Sequence, residues 1–340
     1  MTQLSIVMPS NRNLKASKEA IESALRFAAK TGCRFILSDN SGDADKRRYF
    51  EHRSPNMTYV VPPNDDPLLN QMTALSHVET PFLIPMGDDD EIYSLDGWQP
   101  IDLAGVPSDV IGIRPRTLVW TIDNGVRQTE RFEISSLDAG ERLLEYNGKA
   151  RGNNSIYYSI YRTDVFRGLL KLFAEHHPTC GGYCDWAITF TLVAAGRIIL
   201  DPSTIYRYDL GRWAEKQSAI ETKRNLFLRS GLPGDTEKFS ALLRFLDVHC
   251  FLATEILPLS AGMRSNAIAT NARLALSTFL REVKNAPQNY GAEVLRIADA
   301  IAQASDIARA VELSFSMTDH ILPGLGGRYE RFYQAARDGR

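Results

Sequence analysis

Short apolar runs alternate with amphipathic segments over the first hundred residues, and this alternation limits most strongly what the chain can fold into. Apolar runs of strand length lie at 4–8, 35–37, 57–61 and 82–86. Between them, segments 15–31, 44–52 and 67–77 carry apolar residues at helical spacing. Such alternation is typical of parallel βαβ units with right-handed crossovers. We therefore predict an α/β fold with a mostly parallel, Rossmann-like sheet flanked by helices.

The pattern changes after about residue 106 and again after Trp213. A hairpin signal, Asp123-Asn124-Gly125, separates apolar runs. The predicted strands of this part are 110–113, 117–122, 126–134, 156–161, 197–200 and 205–208, and the predicted helices are 138–146, 164–175 and 186–194. Beyond Trp213 the pattern predicts helices alone, at 215–230, 236–257, 263–284, 291–316 and 328–337. Because 340 residues exceed what one hydrophobic core usually supports, we expect an α/β domain at 1–212 and an all-helical C-terminal region at 213–340.

Composition excludes several classes of protein. With 39 basic and 41 acidic side chains, the net charge of −2 argues against a nucleic-acid-coating protein. No apolar stretch is long enough to predict a transmembrane segment, and the run at 4–8 is too short for a signal peptide, so we expect a cytoplasmic location. The spacing of Cys180 and Cys184 beside His176 and His177 matches no standard zinc finger.

Polar clusters follow three of the predicted strands, at 10–13, 38–43 and Asp88–Asp90. Parallel strands direct their carboxyl ends to the same edge of a sheet, where ligands bind. Three successive carboxylates repel one another unless a cation or an array of donors offsets the charge. Hard divalent cations take oxygen ligands of this kind. The sequence therefore predicts a Mn²⁺ or Mg²⁺ site at Asp88–Asp90.

The ordered motifs LSIVMPSNRN, FILSDNSGD and PFLIPMGDDDEI resemble the nucleotide-sugar-binding half of GT-A glycosyltransferases of the inverting family 2. Two later segments, NNSIYYSIYRTDVF and GGYCDWAITFTLVAAGRIIL, resemble that family's acceptor-side strand and the acidic motif that opens a helix. The resemblance covers about residues 3–212. It implies a GT-A fold and a hexosyltransferase-type enzyme that moves a sugar from a nucleoside-diphosphate sugar, with UDP-sugars favoured, to an acceptor hydroxyl.

The resemblance also implies roles for the first two strand ends. The loop after the first strand, formed by Pro9, Ser10, Asn11 and Arg12, would border the nucleobase and ribose. Asp39, at the end of the second strand, would accept a hydrogen bond from the base, usually from the imide of uracil.

Further roles fall on the acidic motifs. Asp88 and Asp89 would contact the nucleotide, with Asp88 nearer the ribose. Asp90 would be the first choice as direct metal ligand, with Asp88 the second. Asp185 would be the general base that takes the proton of the acceptor hydroxyl, although a first-turn aspartate can also serve as a helix N-cap. Arg207 would either bind the diphosphate or form a surface ion pair.

Two positions depart from the family pattern. Gly87 precedes the acidic triplet, so the motif leaves open which carboxylate ligates the metal. Cys184 replaces the acidic residue that often precedes the catalytic aspartate, which puts a two-carboxylate arrangement in doubt.

Other functions stay open at this point. A sugar nucleotidyltransferase would share the sheet and the metal, but normally has a glycine-rich loop after the first strand, and 10–13 contains no glycine. A nicotinamide oxidoreductase is disfavoured because no GxGxxG follows that strand. A non-catalytic protein that binds a nucleotide or a partner through the helical region is the third alternative.

The acceptor is not specified by the sequence. A glycan, a lipid-linked molecule or a protein would each suit the implied chemistry, and bacterial surface-polysaccharide assembly is the family's commonest setting. The helical region would bind the acceptor or form a homodimer, and peripheral association with the inner face of a membrane is a further expectation.

Overall fold

The structure is a computed structural model that describes residues 2–339. Within that range the strands are β1 (Leu4–Ser10), β2 (Arg34–Asp39), β3 (Met57–Val60), β4 (Phe82–Pro85), β5 (Glu91–Ser94), β6 (Val110–Thr121), β7 (Gly125–Glu130), β8 (Ile160–Arg162) and β9 (Arg197–Asp209). The α-helices are α1 (Leu14–Thr31), α2 (Ala44–Phe50), α3 (Pro67–Ser76), α4 (Ala139–Lys149), α5 (Thr163–His176), α6 (Asp185–Ala195), α7 (Lys216–Arg229), α8 (Ser240–Leu252), α9 (Ala261–Asn271), α10 (Ser277–Asn285), α11 (Ala292–Ala302), α12 (Ile307–Thr318) and α13 (Leu325–Asp338).

The chain divides into two compact units, which are described separately. The first comprises 2–135, Gly152–Gly168 and Arg197–Ala214, and the second comprises Ser136–Arg151, Leu169–Gly196 and 215–339. The chain passes from the first unit to the second for the last time after Ala214, close to the predicted domain boundary at 212/213. Two segments within 1–212 nevertheless belong to the second unit, so the compact units do not coincide with the predicted domains.

The first unit contains the sheet. Its strands, within the described residues, run in the order β3-β2-β1-β4-β8-β6-β9-β5, with β7 attached to β6. The stretch β3-β2-β1-β4 is parallel, whereas β8 is antiparallel to both of its neighbours and β5 is antiparallel to β9. The predicted α/β class is therefore confirmed, with a correction: the sheet is mixed, and the predicted parallel order holds for β1 to β4 and for the β6–β9 pair.

Burial explains why the first strands formed as predicted. Ile6, Phe35 and Ile84, on three adjacent strands, are fully buried and share one apolar cluster with α1. Helix α1 begins where the Asn13 side chain accepts a hydrogen bond from the Ala16 amide, and it ends at Gly32, whose φ of +72° favours glycine. This packing fixes the register in which Ser10, the last residue of β1, lies opposite Asp39, the last residue of β2.

The second unit is helical. Helix α8 packs against α6, α9 and α13 and is buried along most of its length. In α6, every residue from Ala187 to Ala195 is buried, as expected of a helix that is apolar on all sides. The predicted C-terminal helices are confirmed, although the predicted helix 291–316 is interrupted between α11 and α12, where Asp306 caps α12 by accepting from the Arg309 amide.

Two predicted strand pairs are each a single long strand. Runs 110–113 and 117–122 correspond to β6, which ends at Thr121, and runs 197–200 and 205–208 correspond to β9. Their pairing has register shifts between Val110 and Gly112 and between Pro115 and Arg116. The short strand β5 was not predicted. Among the described residues, no helix is both long and apolar enough to cross a membrane.

Candidate functional site

Asp88 holds the loop that follows β1. Its Oδ2 accepts hydrogen bonds from Ser10 Oγ (2.7 Å) and from the amides of Asn11 and Arg12 (3.2 Å each), and its Oδ1 lies 3.2 Å from Arg12 Nε. These contacts form because β1 and β4 are parallel neighbours, so that their carboxyl ends meet. The loop from Pro9 and the acidic triplet, predicted separately from the sequence, are therefore brought together.

Asp89 is the most exposed carboxylate of the triplet. Its side chain is 35% accessible, and Oδ2 forms an ion pair with Arg12 Nη2. Burial raises the pKa of Asp89, the carboxylates of Asp88 and Asp209 raise it further, and the Arg12 guanidinium opposes that increase. Arg12 therefore supplies the positive charge that the predicted cluster requires.

Asp90 faces the interior. It is 1% exposed, its Oδ2 accepts from the Tyr206 hydroxyl (2.7 Å), and its Oδ1 accepts from the Asp209 amide (2.8 Å). Burial, and then the nearby Asp89 carboxylate, raise the pKa of Asp90 well above its ordinary value. Asp90 is therefore buried and bonded to β9 through both oxygens, and its role as first-choice metal ligand stays a prediction.

Gly87 provides the space in which the carboxylates approach each other. A Cβ atom at this position would lie 2.8 Å from Asp89 Oδ1 and 2.9 Å from Asp90 Oδ2. The absence of a side chain therefore allows two carboxylates to lie over the backbone at the end of β4. The resulting set of hard oxygen atoms fits a divalent cation such as Mn²⁺ or Mg²⁺, and Asp88 and Asp89 are the residues that would hold it.

Asp39 lies in the same network. Its Oδ1 accepts from the Ser41 amide (3.1 Å) and from Lys46 Nζ (2.9 Å), and its Oδ2 accepts from the Tyr59 hydroxyl. Burial, followed by the hydrogen bond to Asp39, raises the pKa of Tyr59. Lys46 and Tyr59 were not predicted as site residues, because neither belongs to a motif and each comes from a different element.

Arg207 lies outside this network. Its Nη2 is 2.9 Å from Glu91 Oε1, across the β5–β9 pair, and its guanidinium carbon lies 3.5 Å from the centroid of the Trp120 ring. Arg207 therefore forms the ion pair that was one of its two alternatives, and its binding to the diphosphate stays a prediction.

Asp185 belongs to the second unit. It is the first residue of α6, it is exposed, and its Oδ1 accepts from the Trp186 amide (2.7 Å). Cys184 occupies the N-cap position, so Asp185 lies in the first turn of α6 and is not its N-cap. The role of Asp185 as general base stays a prediction.

A buried polar cluster, which the sequence did not predict, lies elsewhere in the second unit. His177 Nε2 is 3.0 Å from Asp247 Oδ1 and 3.4 Å from Cys184 Sγ, and the Tyr329 hydroxyl also donates to Asp247 Oδ1 (2.8 Å). The ligand atoms of His177, Cys184 and Asp247 lie within 4.8 Å of one another, close enough to surround a metal ion.

The tautomer of His177 disfavours a metal in this cluster. Its Nδ1 accepts from the amides of Cys180 (3.0 Å) and Thr179 (3.3 Å), so in the neutral ring the proton is on Nε2, where it is donated to Asp247. A histidine that ligates through Nε2 needs its proton on Nδ1. Burial, and then the Asp247 charge, raise the pKa of Cys184 well above its ordinary value. The cluster is a hydrogen-bonded core element.

Comparison with known proteins gives distant likenesses. No protein-family model and no curated protein matches the sequence. Among solved structures, S. aureus TarS 1-349 is similar with 14% identity and a TM-score of 0.46, over 100% of this chain and 92% of that one. TarS 1-349 in complex with UDP-GlcNAc gives 15% identity and a TM-score of 0.46, over 100% and 93%. A further structure of TarS gives 13% identity and a TM-score of 0.44, over 99% and 55%. At TM-scores this low the likeness does not bear on activity.

Proposed function

We propose that this chain is an inverting glycosyltransferase of the hexosyltransferase type. It transfers a sugar from a nucleoside-diphosphate sugar, with a UDP-sugar favoured, to an acceptor hydroxyl. The observation that carries the proposal is the connected network at the carboxyl ends of β1, β2 and β4, in which Asp88, Asp89 and Asp39 share partners with the loop at Ser10 and Arg12. Open α/β sheets bind nucleotides at this edge.

The charged residues suit a diphosphate. Asp88 and Asp89 would hold a divalent cation, which would neutralise the charge of the departing diphosphate. We prefer Asp89 to Asp90 as the direct ligand, because Asp89 is the most exposed carboxylate of the triplet, whereas Asp90 is 1% exposed and bonded to Tyr206 and Asp209. Arg12, released from Asp89, would pair with a phosphate oxygen, for which a guanidinium is well suited.

Asp39 would bind the base. Its Oδ1 has two donors and its Oδ2 has one, so acceptor capacity is left on Oδ2 for an imide N–H. A carboxylate acceptor favours uracil, whose N3 carries a proton, over cytosine, whose N3 is an acceptor.

Asp185 would be the general base, on the strength of the sequence resemblance. It would take the proton of the acceptor hydroxyl as the hydroxyl oxygen bonds to the anomeric carbon from the face opposite the diphosphate, which inverts that centre. Base catalysis of this kind contributes roughly 10²–10⁴ in rate. We further propose that the enzyme is cytoplasmic and acts in surface-polysaccharide assembly, with a glycan, lipid-linked or protein acceptor.

Turnover of a panel of UDP-, GDP-, dTDP- and CDP-sugars with Mn²⁺ tests the proposal. We expect UDP-sugar turnover, a loss of about 10²-fold or more in kcat for Asp185→Asn, and a higher Mn²⁺ requirement for Asp89→Asn. Asp96→Asn is the matched control, because Asp96 is also an aspartate paired with one cation, Lys30, but is not part of the network.

Three outcomes would contradict the proposal. Pyrophosphate release from a nucleoside triphosphate would indicate a sugar nucleotidyltransferase. Metal-dependent UDP binding without turnover of any sugar nucleotide would indicate a binding protein. Full activity of both the Asp89 and Asp185 variants would show that the roles are assigned to the wrong residues.

A further inference from the structure

Lys46 is a buried cation at the centre of the network. It comes from the short helix α2, and its side chain has no solvent exposure. The ammonium donates to Ser10 Oγ (2.5 Å), to the Arg12 carbonyl oxygen (2.8 Å) and to Asp39 Oδ1 (2.9 Å). A lysine ammonium has three hydrogens, so this set of acceptors matches its donor capacity.

The three acceptors belong to three different parts of the site. Ser10 ends β1, Asp39 ends β2, and Arg12 lies in the loop between β1 and α1. Ser10 Oγ in turn donates to Asp88 Oδ2 (2.7 Å), so that Lys46 connects the base-binding carboxylate to the acidic triplet through one hydroxyl group.

Helix α2 is itself anchored to this edge of the sheet. Asp43 caps α2 by accepting from the amides of Asp45 and Lys46, and its Oδ2 accepts from the Leu14 amide at the start of α1 (2.8 Å). The base of the Lys46 side chain is therefore fixed relative to the loop that its ammonium bonds.

Lys46 and Asp39 form a buried ion pair of opposite charges. Asp39 is 4% exposed and Lys46 is fully buried, so neither charge has water to stabilise it, and each depends on the other. Tyr59 donates to Asp39 Oδ2 from the other side. With the Ser41 amide, which also donates to Oδ1, three donors hold the carboxylate in one orientation, and Lys46 is the charged one.

We propose that Lys46 is a positioning residue that sets the nucleobase preference of the site by fixing the Asp39 carboxylate. The inference rests on the proposed function, in which Asp39 accepts a hydrogen bond from the base. With Lys46 in place, Asp39 Oδ2 is held in one position as an acceptor and distinguishes uracil from cytosine. Without Lys46, Asp39 Oδ1 keeps only the Ser41 amide and loses its charged donor, so the carboxylate is held less firmly and the distinction weakens.

Calorimetric titration of the full chain with UDP and with CDP, each with Mn²⁺, tests the inference. We expect the wild type to bind UDP about tenfold or more tightly than CDP, the discrimination that one well-placed hydrogen bond provides. In Lys46→Met we expect this ratio to fall to within about threefold, mainly through weaker UDP binding. Arg114→Met is the matched control: Arg114 is also a buried cation, paired with Glu130 on another part of the sheet, and its loss should leave the ratio unchanged.

A double variant keeps the test decisive if Lys46→Met does not fold. Asp39→Asn with Lys46→Met removes both buried charges together, so no unpaired charge remains. If Lys46 acts through Asp39, the double variant has the same UDP-to-CDP ratio as Asp39→Asn alone.

Two results overturn the inference in distinguishable ways. A wild type that binds neither nucleotide removes the proposed function and the inference with it. A wild type that prefers UDP, together with an unchanged preference in Lys46→Met or a further change in the double variant relative to Asp39→Asn, removes the role of Lys46 and leaves the proposed function standing.

Discussion

At the scale of single residues, the charge of Arg12 determines how the acidic triplet behaves. The guanidinium bonds both Asp88 and Asp89, so it occupies the oxygens that a divalent cation would use. A divalent cation bound there would therefore compete with the guanidinium for the same carboxylates. Since Arg12 is 44% exposed, the competition is weakened by solvent and should be modest.

Arg12→Gln should therefore tighten metal binding while weakening donor binding. We expect the half-saturating Mn²⁺ concentration to fall by about two- to fivefold, because a competing charge of surface strength is removed. The KM for the UDP-sugar should rise, because a phosphate partner is lost. Activity measured across a Mn²⁺ series gives both values. An unchanged Mn²⁺ requirement would mean that Arg12 does not share the metal's ligands.

Gly87 is the second residue whose replacement has a calculable consequence. Gly87→Ala puts a methyl group 2.8–2.9 Å from the Asp89 and Asp90 oxygens, so at least one carboxylate must move. We expect destabilisation of about 1–3 kcal/mol, as for other overpacked sites, and reduced metal-dependent activity.

Gly148→Ala serves as its control. Gly148 lies in α4, and an added Cβ there has no described atom within 4 Å. The free energy of unfolding of that variant should rise by up to about 1 kcal/mol, because alanine has a higher helix propensity than glycine. Denaturant unfolding of both variants measures the difference, and equal stabilities would show that the carboxylates over Gly87 adapt without cost.

At the scale of elements, the sequence predicted those parts whose partners lie nearby in the chain. Strands β1 to β4 are apolar runs between helices, and their parallel order follows from the crossovers. Strand β6 was predicted as two runs, 110–113 and 117–122, and Arg114, Pro115 and Arg116 lie between them. Arg114 is buried, its charge is neutralised by Glu130 and it donates a hydrogen bond to Ser155; these partners are 16 and 41 residues away, which the sequence does not reveal.

The candidate site was likewise predictable only where sheet topology brings its residues together. The loop after β1, Asp39 and the acidic triplet follow strands, so their meeting could be inferred from sheet topology. Lys46 and Tyr59 could not be found in this way, since a lysine in a charged helix normally faces solvent. The orientation of Asp90 depends on its pairing with β9, which is more than a hundred residues away.

Helix α8 carries a prediction about pH. His249 is buried against Tyr333 and Phe245, and burial lowers its pKa from 6.5 to about 4. Below pH 6.5 His249 is protonated in the unfolded chain, whereas in the folded chain it is protonated only below about pH 4. The free energy of unfolding should therefore fall by about 3 kcal/mol as the pH drops through this range.

His249→Phe should remove that contribution. The phenyl ring keeps the packing against Tyr333, and His249 Nδ1 has no described hydrogen-bond partner to lose. We expect the variant to equal the wild type near pH 7 and to exceed it increasingly between pH 6.5 and pH 4. Urea unfolding across this range measures the difference. Parallel curves for the two proteins would contradict the burial of an uncharged imidazole.

At the scale of the whole molecule, two groups of potential metal ligands differ in chemistry. The Asp88–Asp90 group offers hard oxygens and already contains an exposed cation, Arg12. The group of His177, Cys184 and Asp247 is buried and satisfies its own hydrogen bonds. The first offers the oxygen ligands that Mn²⁺ or Mg²⁺ would take, whereas the proton on His177 Nε2 disfavours a metal in the second.

The metal content of the protein should follow this difference. We expect the isolated protein to hold no stoichiometric zinc by elemental analysis, and its melting temperature to be unchanged by EDTA, since no structural ion contributes to folding. Mn²⁺ with UDP should raise the melting temperature, and at a UDP concentration of 100 times Kd the added stability is about 2.7 kcal/mol. Asp89→Asn should lose most of this gain, whereas Cys184→Ser should keep it. One zinc per chain that is lost, with stability, on mutation of Cys184 would reverse the assignment of the buried cluster, because it would require the His177 tautomer with its proton on Nδ1.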